Sequence, residues 1–127
     1  VPGFIQDAVE FALNAGTALE DKISAPFIRR RAIAIDILSR QLVIPLVPAQ
    51  GAMYLMLDIR ATGLSGDAFA NALLDAHRIA VMPGESFGKA AAGHVRVAMT
   101  VADERFADAL KTLCKFASQL ARKHAAE

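Results

Sequence analysis

VMPGESFGKAAAGHVRVAMT, from Val81 to Thr100, is the stretch on which the fold turns. An apolar run, Ile79-Ala80-Val81-Met82, enters Pro83-Gly84, and glycines at 84, 88 and 93 punctuate the loop that follows. Beyond the loop, alternation predicts a strand over 94–101, with Val95, Val97, Met99 and Val101 on one face and His94, Arg96, Ala98 and Thr100 on the other. The connection from 82 to 94 spans about a dozen residues without a helical pattern, which predicts an antiparallel return rather than a crossover. The valine face belongs to a core. Arg96 then stands mid-strand on the opposite face among small neighbours. There its guanidinium can hold a planar anion, above all a carboxylate, through two parallel charge-assisted hydrogen bonds. A structural arginine paired with a nearby Asp or Glu fits the same pattern.

Upstream, Ala49-Gln50-Gly51 turns the chain into 52–59, a run apolar on both alternating faces and so read as a central strand buried on both sides. Gly51 reads as a turn glycine, and Met53 and Tyr54 as core side chains. Gln41 to Gly51 is a connector whose Pro45 and Pro48 confine it to a sheet edge. The segment from Ala18 to about Arg40 reads as a long helix, with Pro26 either a break or the first turn of a second segment. Ile23, Phe27, Ala34, Ile35 and Leu38 form its apolar stripe. Arg29-Arg30-Arg31 suits a phosphate patch or, favoured by the balanced charge, a solvated face with local partners such as Asp36 and Glu20-Asp21.

Phe4, Ile5, Ala8, Val9, Ala12 and Leu13 recur at helical spacing near the start of the chain, in a segment too short to be a stable helix alone. Ser65 or Asp67 caps a helix running to His77, with Phe69, Leu73 and Leu74 as its buried stripe. The last helix, 102–123, carries one apolar seam of Phe106, Leu110, Leu113, Ala117 and Leu120. The predicted fold class is α+β: a small, mainly antiparallel sheet covered on one face by helices and preceded by a long helix.

The 127 residues are enough for one domain, 54% of them apolar and 21% charged, with a mean hydropathy of +0.35. A net charge of +1 argues against a nucleic-acid surface, and no run reaches the roughly 18 apolar residues of a membrane span. The lone Cys114 allows no internal disulfide, fits a reducing cytoplasm and reads as a small core residue. His77, His94 and His124 have no ligand partners at metal-binding spacing, so no metal site is expected. The chain opens Val1-Pro2-Gly3 without Met, which reads as a piece of a longer protein.

PGxxFG followed by GHVRVAMT resembles the C-terminal small domain of class I and II aminotransferases, the aspartate aminotransferase-like branch of the fold-type I pyridoxal phosphate enzymes. QGAMYLMLDIR, the paired arginines of the long helix, and VPGFIQDAVEFAL resemble the same family. TGLSG and AAAGHVRVA suggest a prokaryotic subgroup. The resemblance implies that residues 1–16 are the terminal helix of a large cofactor-binding domain and residues 17–127 the small domain. It implies that Arg96 binds the substrate α-carboxylate and that Gly51, Met53 and Tyr54 are candidates to line the substrate site. It also implies a mobile lid, amino-acid and 2-oxo-acid substrates, and a cytoplasmic homodimer. Pyridoxal phosphate and its lysine would belong to the large domain: Lys22, Lys89, Lys111, Lys115 and Lys123 lack the family's lysine motif, so no catalytic or cofactor-binding residue is assigned and the chain is expected to be inactive alone. A pyridoxal phosphate lyase or synthase shares these features. A free-standing anion-binding regulatory module is the alternative from a different class.

Overall fold

The computed structural model describes residues 1–126. Among them, four α-helices, α1 (Gly3–Asn14), α2 (Thr17–Ser39), α3 (Gly66–His77) and α4 (Asp103–His124), accompany four short strands, β1 (Leu46–Val47), β2 (Tyr54–Asp58), β3 (Met82–Pro83) and β4 (His94–Ala98). The sheet order is β1-β2-β4-β3, and every pairing is antiparallel. This is the predicted α+β class. The return from β3 to β4 is antiparallel, as the helix-free connection requires.

Alternation places Leu55, Leu57 and Val95 on the buried face of the sheet. Phe69 and Leu73 of α3 pack against them, with Phe106, Leu110, Leu113, Cys114 and Ala117 of α4 and Ala34 and Leu38 of α2, in one continuous core. The opposite face carries Tyr54, Met56 and Asp58, which are only half-buried. The strand expected to be buried on both sides is therefore central in order but covered by this chain on one face.

Other expectations shift for local reasons. Ile79 to Val81 precede β3, which starts at Met82 and ends at Pro83. Pro83 lacks a donor and is tolerated because β3 is the sheet's edge. The last strand stops at Ala98; one further bond, Met99 N–H to the Met53 carbonyl at 2.9 Å, extends the pairing. The chain then turns toward α4, leaving Val101 37% exposed instead of in the core. In α3 the buried stripe is Phe69, Ala70 and Leu73, while Leu74 is 41% exposed. Ser65 caps this helix, its Oγ accepting from the Ala68 N–H at 3.2 Å, and Gly66 opens it.

The second helix runs through Pro26 without a break. Its residues 17–23 are exposed, so the carbonyl that Pro26 leaves without a donor can bond water, which softens the loss of one helical bond. Ile23 is among them, and Ile35 falls off the core-facing side held by Ala34 and Leu38. The helix hands over to β1 through Gln41. Its Oε1 accepts from the Val43 and Ile44 N–H groups at 2.8 and 2.9 Å, and its Nε2 donates to the Ile44 carbonyl at 2.7 Å. That side chain satisfies a turn which buries Ile44 fully.

The arginine run finds its partner far along the chain. Arg29 Nε and Arg30 Nε donate to the two carboxylate oxygens of Asp103 at 3.1 and 2.7 Å. Arg30 Nη1 also donates to the Met99 carbonyl at 2.8 Å. The expected local pairing with Asp36 is taken instead by Arg40. Asp103 thus clamps α2 to the first turn of α4, and both guanidinium groups hold its carboxyl below the usual carboxylate range. At the start of the chain α1 has no buried residue; Phe4, Phe11 and Leu13 are 72%, 78% and 72% exposed. Gly16, with φ of +76°, separates α1 from α2.

Candidate functional site

On the half-buried sheet face, Arg96 pairs across the ladder with Met56 on one side and Met82 on the other. Its guanidinium carbon lies 4.1 Å from the centroid of the Tyr54 ring and 4.3 Å from that of Phe87. Two aromatic rings thus hold the cation, an arrangement worth about 0.5–2 kcal/mol per contact depending on desolvation. Tyr54 reaches Arg96 from β2, two residues along from Arg96's own partner Met56. Phe87 comes from the turn Gly84–Phe87 that follows β3.

Among the described residues no carboxylate lies within ion-pair reach of Arg96, whereas Arg29, Arg30, Arg40 and Arg60 each have one. Ring faces offer the guanidinium no hydrogen-bond acceptor, so its N–H groups keep their capacity for a planar anion.

The turn that carries Phe87 is fixed at its start. Glu85 Oε1 accepts from the Gly66 N–H at 2.9 Å and from the Gly93 N–H at 3.2 Å. With its own backbone N–H, these bonds hold the Glu85 carboxyl below the usual glutamate range. Gly84 lies so close to the carbonyls of Ala91 and His94 that a side chain there would collide with backbone. Below the turn, Asp58 binds Arg60 through two oxygens, at 2.9 and 3.0 Å from Nε, and that hydrogen bonding holds the Asp58 carboxyl down.

Of the residues singled out in the sequence, Tyr54 and Arg96 come together. Gly51 does not join them: with Ile23, Phe27, Arg31 and Met53 it lines a groove of about 640 Å³ against α2. A side chain at Gly51 would meet open space, and the left-handed backbone falls on Ala52, with φ of +61°. Phe87 and Glu85 carry one signal in the sequence, an aromatic and an acid set between the glycines of PGESFG. Lys22, Lys89, Lys111, Lys115 and Lys123 are all exposed. Cys114 is buried in α4, and burial pushes its thiol up to about 11. Among the described residues no cluster of metal-ligating side chains occurs, and no helix is long and apolar enough to cross a membrane.

The family model described as aminotransferase class I and II matches residues 1–113, and the chain belongs to that family. The arginine–pyruvate transaminase of Pseudomonas aeruginosa is 38% identical over 119 residues, covering 94% of this chain and 30% of that protein. The aromatic aminotransferase of Pyrococcus horikoshii OT3 superposes with a TM-score of 0.71 at 31% identity, over 78% of this chain and 26% of that one. The aspartate aminotransferase of Thermus thermophilus solved with maleate gives a TM-score of 0.69 at 29% identity, over 82% of this chain and 26% of that one. The chain therefore spans about 30% of the length of its curated relatives. Members of the family use pyridoxal phosphate. Among the described residues, Arg96 offers an open guanidinium for a carboxylate.

Proposed function

We propose that this chain is the C-terminal small domain of a pyridoxal phosphate-dependent aminotransferase and that Arg96 receives the α-carboxylate of its amino-acid and 2-oxo-acid substrates. The observation that carries the reading is a guanidinium held between Tyr54 and Phe87 with no carboxylate of the described chain beside it. In that position Arg96 orients the substrate, and the two rings exclude water from one end of it. The cofactor supplies the electron sink for moving an amino group; no step of that chemistry is assigned to residues of this chain. The maleate-bearing Thermus relative, whose ligand is a dicarboxylate, supports the ligand class.

The rest of the reading follows the same division. Residues 1–16 form the closing helix of a cofactor-binding domain, and its uncovered apolar side supports this. Residues 17–127 are the small domain, which closes over the site when the carboxylate binds. Gly51 lines the substrate entrance only once that larger domain is present. The whole enzyme is a cytoplasmic homodimer, and this chain without a cofactor-bearing lysine is inactive by itself.

The test uses a polypeptide joining this chain to a cofactor-binding domain of the family. Its absorbance is followed during titration with amino acids and then 2-oxo acids. A cofactor band that bleaches with the first and returns with the second supports transamination; a band that forms and never cycles favours a lyase or synthase. Arg96→Ala should lower kcat/KM by the equivalent of about 2–5 kcal/mol, the range for removing one partner of a buried charge pair. An unchanged kcat/KM would remove Arg96 from the site.

A further inference from the structure

We infer that Glu85 is a positioning residue for the carboxylate site: its side chain fixes the turn that lays Phe87 on Arg96. The inference rests on the proposed role of Arg96 and adds the part of the chain that sets the geometry of its cation.

Phe87 does not belong to a strand. It ends a turn of four residues, Gly84–Phe87, between the two-residue strand β3 and a second turn at Lys89–Ala91. Such a segment has little regular pairing of its own, and Phe87 is 46% exposed. Burial alone therefore does not hold the ring. Beside the close backbone packing at Gly84, the one side-chain tie of the segment among the described residues is a single oxygen. Glu85 Oε1 takes the N–H of Gly66, the first residue of α3, and the N–H of Gly93, immediately before β4. The carboxylate thus joins the turn to a helix and to the entry of the strand bearing Arg96. Gly66 and Gly84 leave no room for side chains at this junction, so backbone, carboxylate and turn meet at close range. Phe87 follows two residues later and completes the pair of rings with Tyr54.

Both bonds end on the same oxygen, so an amide oxygen in its place preserves them, whereas a shorter or absent side chain cannot. Phe87 is the only route by which this proposal lets Glu85 reach the ligand. Loss of Glu85 and loss of Phe87 should therefore not add.

The experiment uses the 127-residue chain. The Arg96 Nε–H resonance, displaced by the two rings, is compared in the unaltered chain, Glu85→Gln, Glu85→Ala, Glu85→Asp and Phe87→Leu. Each is then titrated with propionate at constant ionic strength. Glu85→Gln should keep the resonance and the propionate affinity. Glu85→Ala, Glu85→Asp and Phe87→Leu should move the resonance toward its value in an unfolded chain and weaken propionate binding by about three- to tenfold, the scale of one cation–aromatic contact. Glu85→Ala combined with Phe87→Leu should bind no more weakly than the weaker single variant. Glu85→Asp keeps a carboxylate in the turn and serves if the alanine variant does not fold. A resonance unmoved in Glu85→Asp or Glu85→Ala, a resonance lost in Glu85→Gln, or additive losses in the double variant would overturn the inference. If the unaltered chain and its fusion to a cofactor-binding domain both ignore propionate while the resonance still follows Glu85, the positioning role stands and the carboxylate reading of Arg96 fails.

Discussion

Arg96 differs from the paired arginines of this chain in what flanks it. A cation against a carboxylate is already satisfied; a cation between two rings is held in place while its hydrogen-bonding edge remains available. The planar match predicts that lysine will not substitute. Arg96→Lys in the joined enzyme should lose most of what Arg96→Ala loses, seen in steady-state kinetics with the amino donor. Tyr54→Leu should weaken substrate binding by less, about 0.5–2 kcal/mol, since it removes one ring and leaves the charge. At this scale the sequence was informative about Arg96, because alternation sends an arginine among valines to the face opposite the core. Tyr54 was singled out only through the family resemblance, because its strand is apolar on both faces and alternation gives it no side. Phe87 and Glu85 were not legible, because an irregular turn has no period from which to read a direction. Gly51 misled for a related reason: a glycine signals a special backbone, but the positive φ of this turn sits at Ala52.

Elements in this domain end on side chains that the pattern reading saw only in part. Ser65 was legible as a cap, and Ser65→Ala should cost about 1 kcal/mol in urea unfolding. Arg78 closes α3 in the left-handed conformation, with φ of +57°, where a side chain is strained. Arg78→Gly should therefore stabilise the chain by about 1 kcal/mol in the same measurement. The α2–α4 clamp was invisible beforehand because Arg30 and Asp103 are 73 residues apart, and no local rule pairs residues at that distance. Asp103 has its pKa lowered in the folded chain by Arg30 and Arg29. Its contribution is thus present above the unfolded carboxylate value near pH 4 and is lost as pH falls through the lower folded value. Thermal unfolding recorded from pH 6 downward should show a decline beginning near pH 4. Asp103→Asn should be less stable at pH 6 and fall less steeply over the acid range.

For the molecule as a whole, α+β class and antiparallel pairing followed from the helix-free return after Pro83 and the alternation after Gly93. Helices cover one face of the sheet, leaving the other with Tyr54, Met56 and Arg96 half-buried; a strand apolar on both faces could not reveal which face this chain would leave uncovered. Helix α1 lies outside the core, so removal of residues 1–15 should leave the thermal midpoint of the remainder unchanged. It should also reduce concentration-dependent association measured by light scattering, because Phe4, Phe11 and Leu13 leave with it. Cys114 gives the same molecule a built-in clock. Its thiol is packed in α4 and pushed up to about 11, so a disulfide reagent at neutral pH finds almost no thiolate until the helix separates from the sheet. With reclosing faster than labelling, the labelling rate follows the population of the open core, and comparing that rate before and after a second domain is joined would measure how far the partner suppresses the breathing of this one.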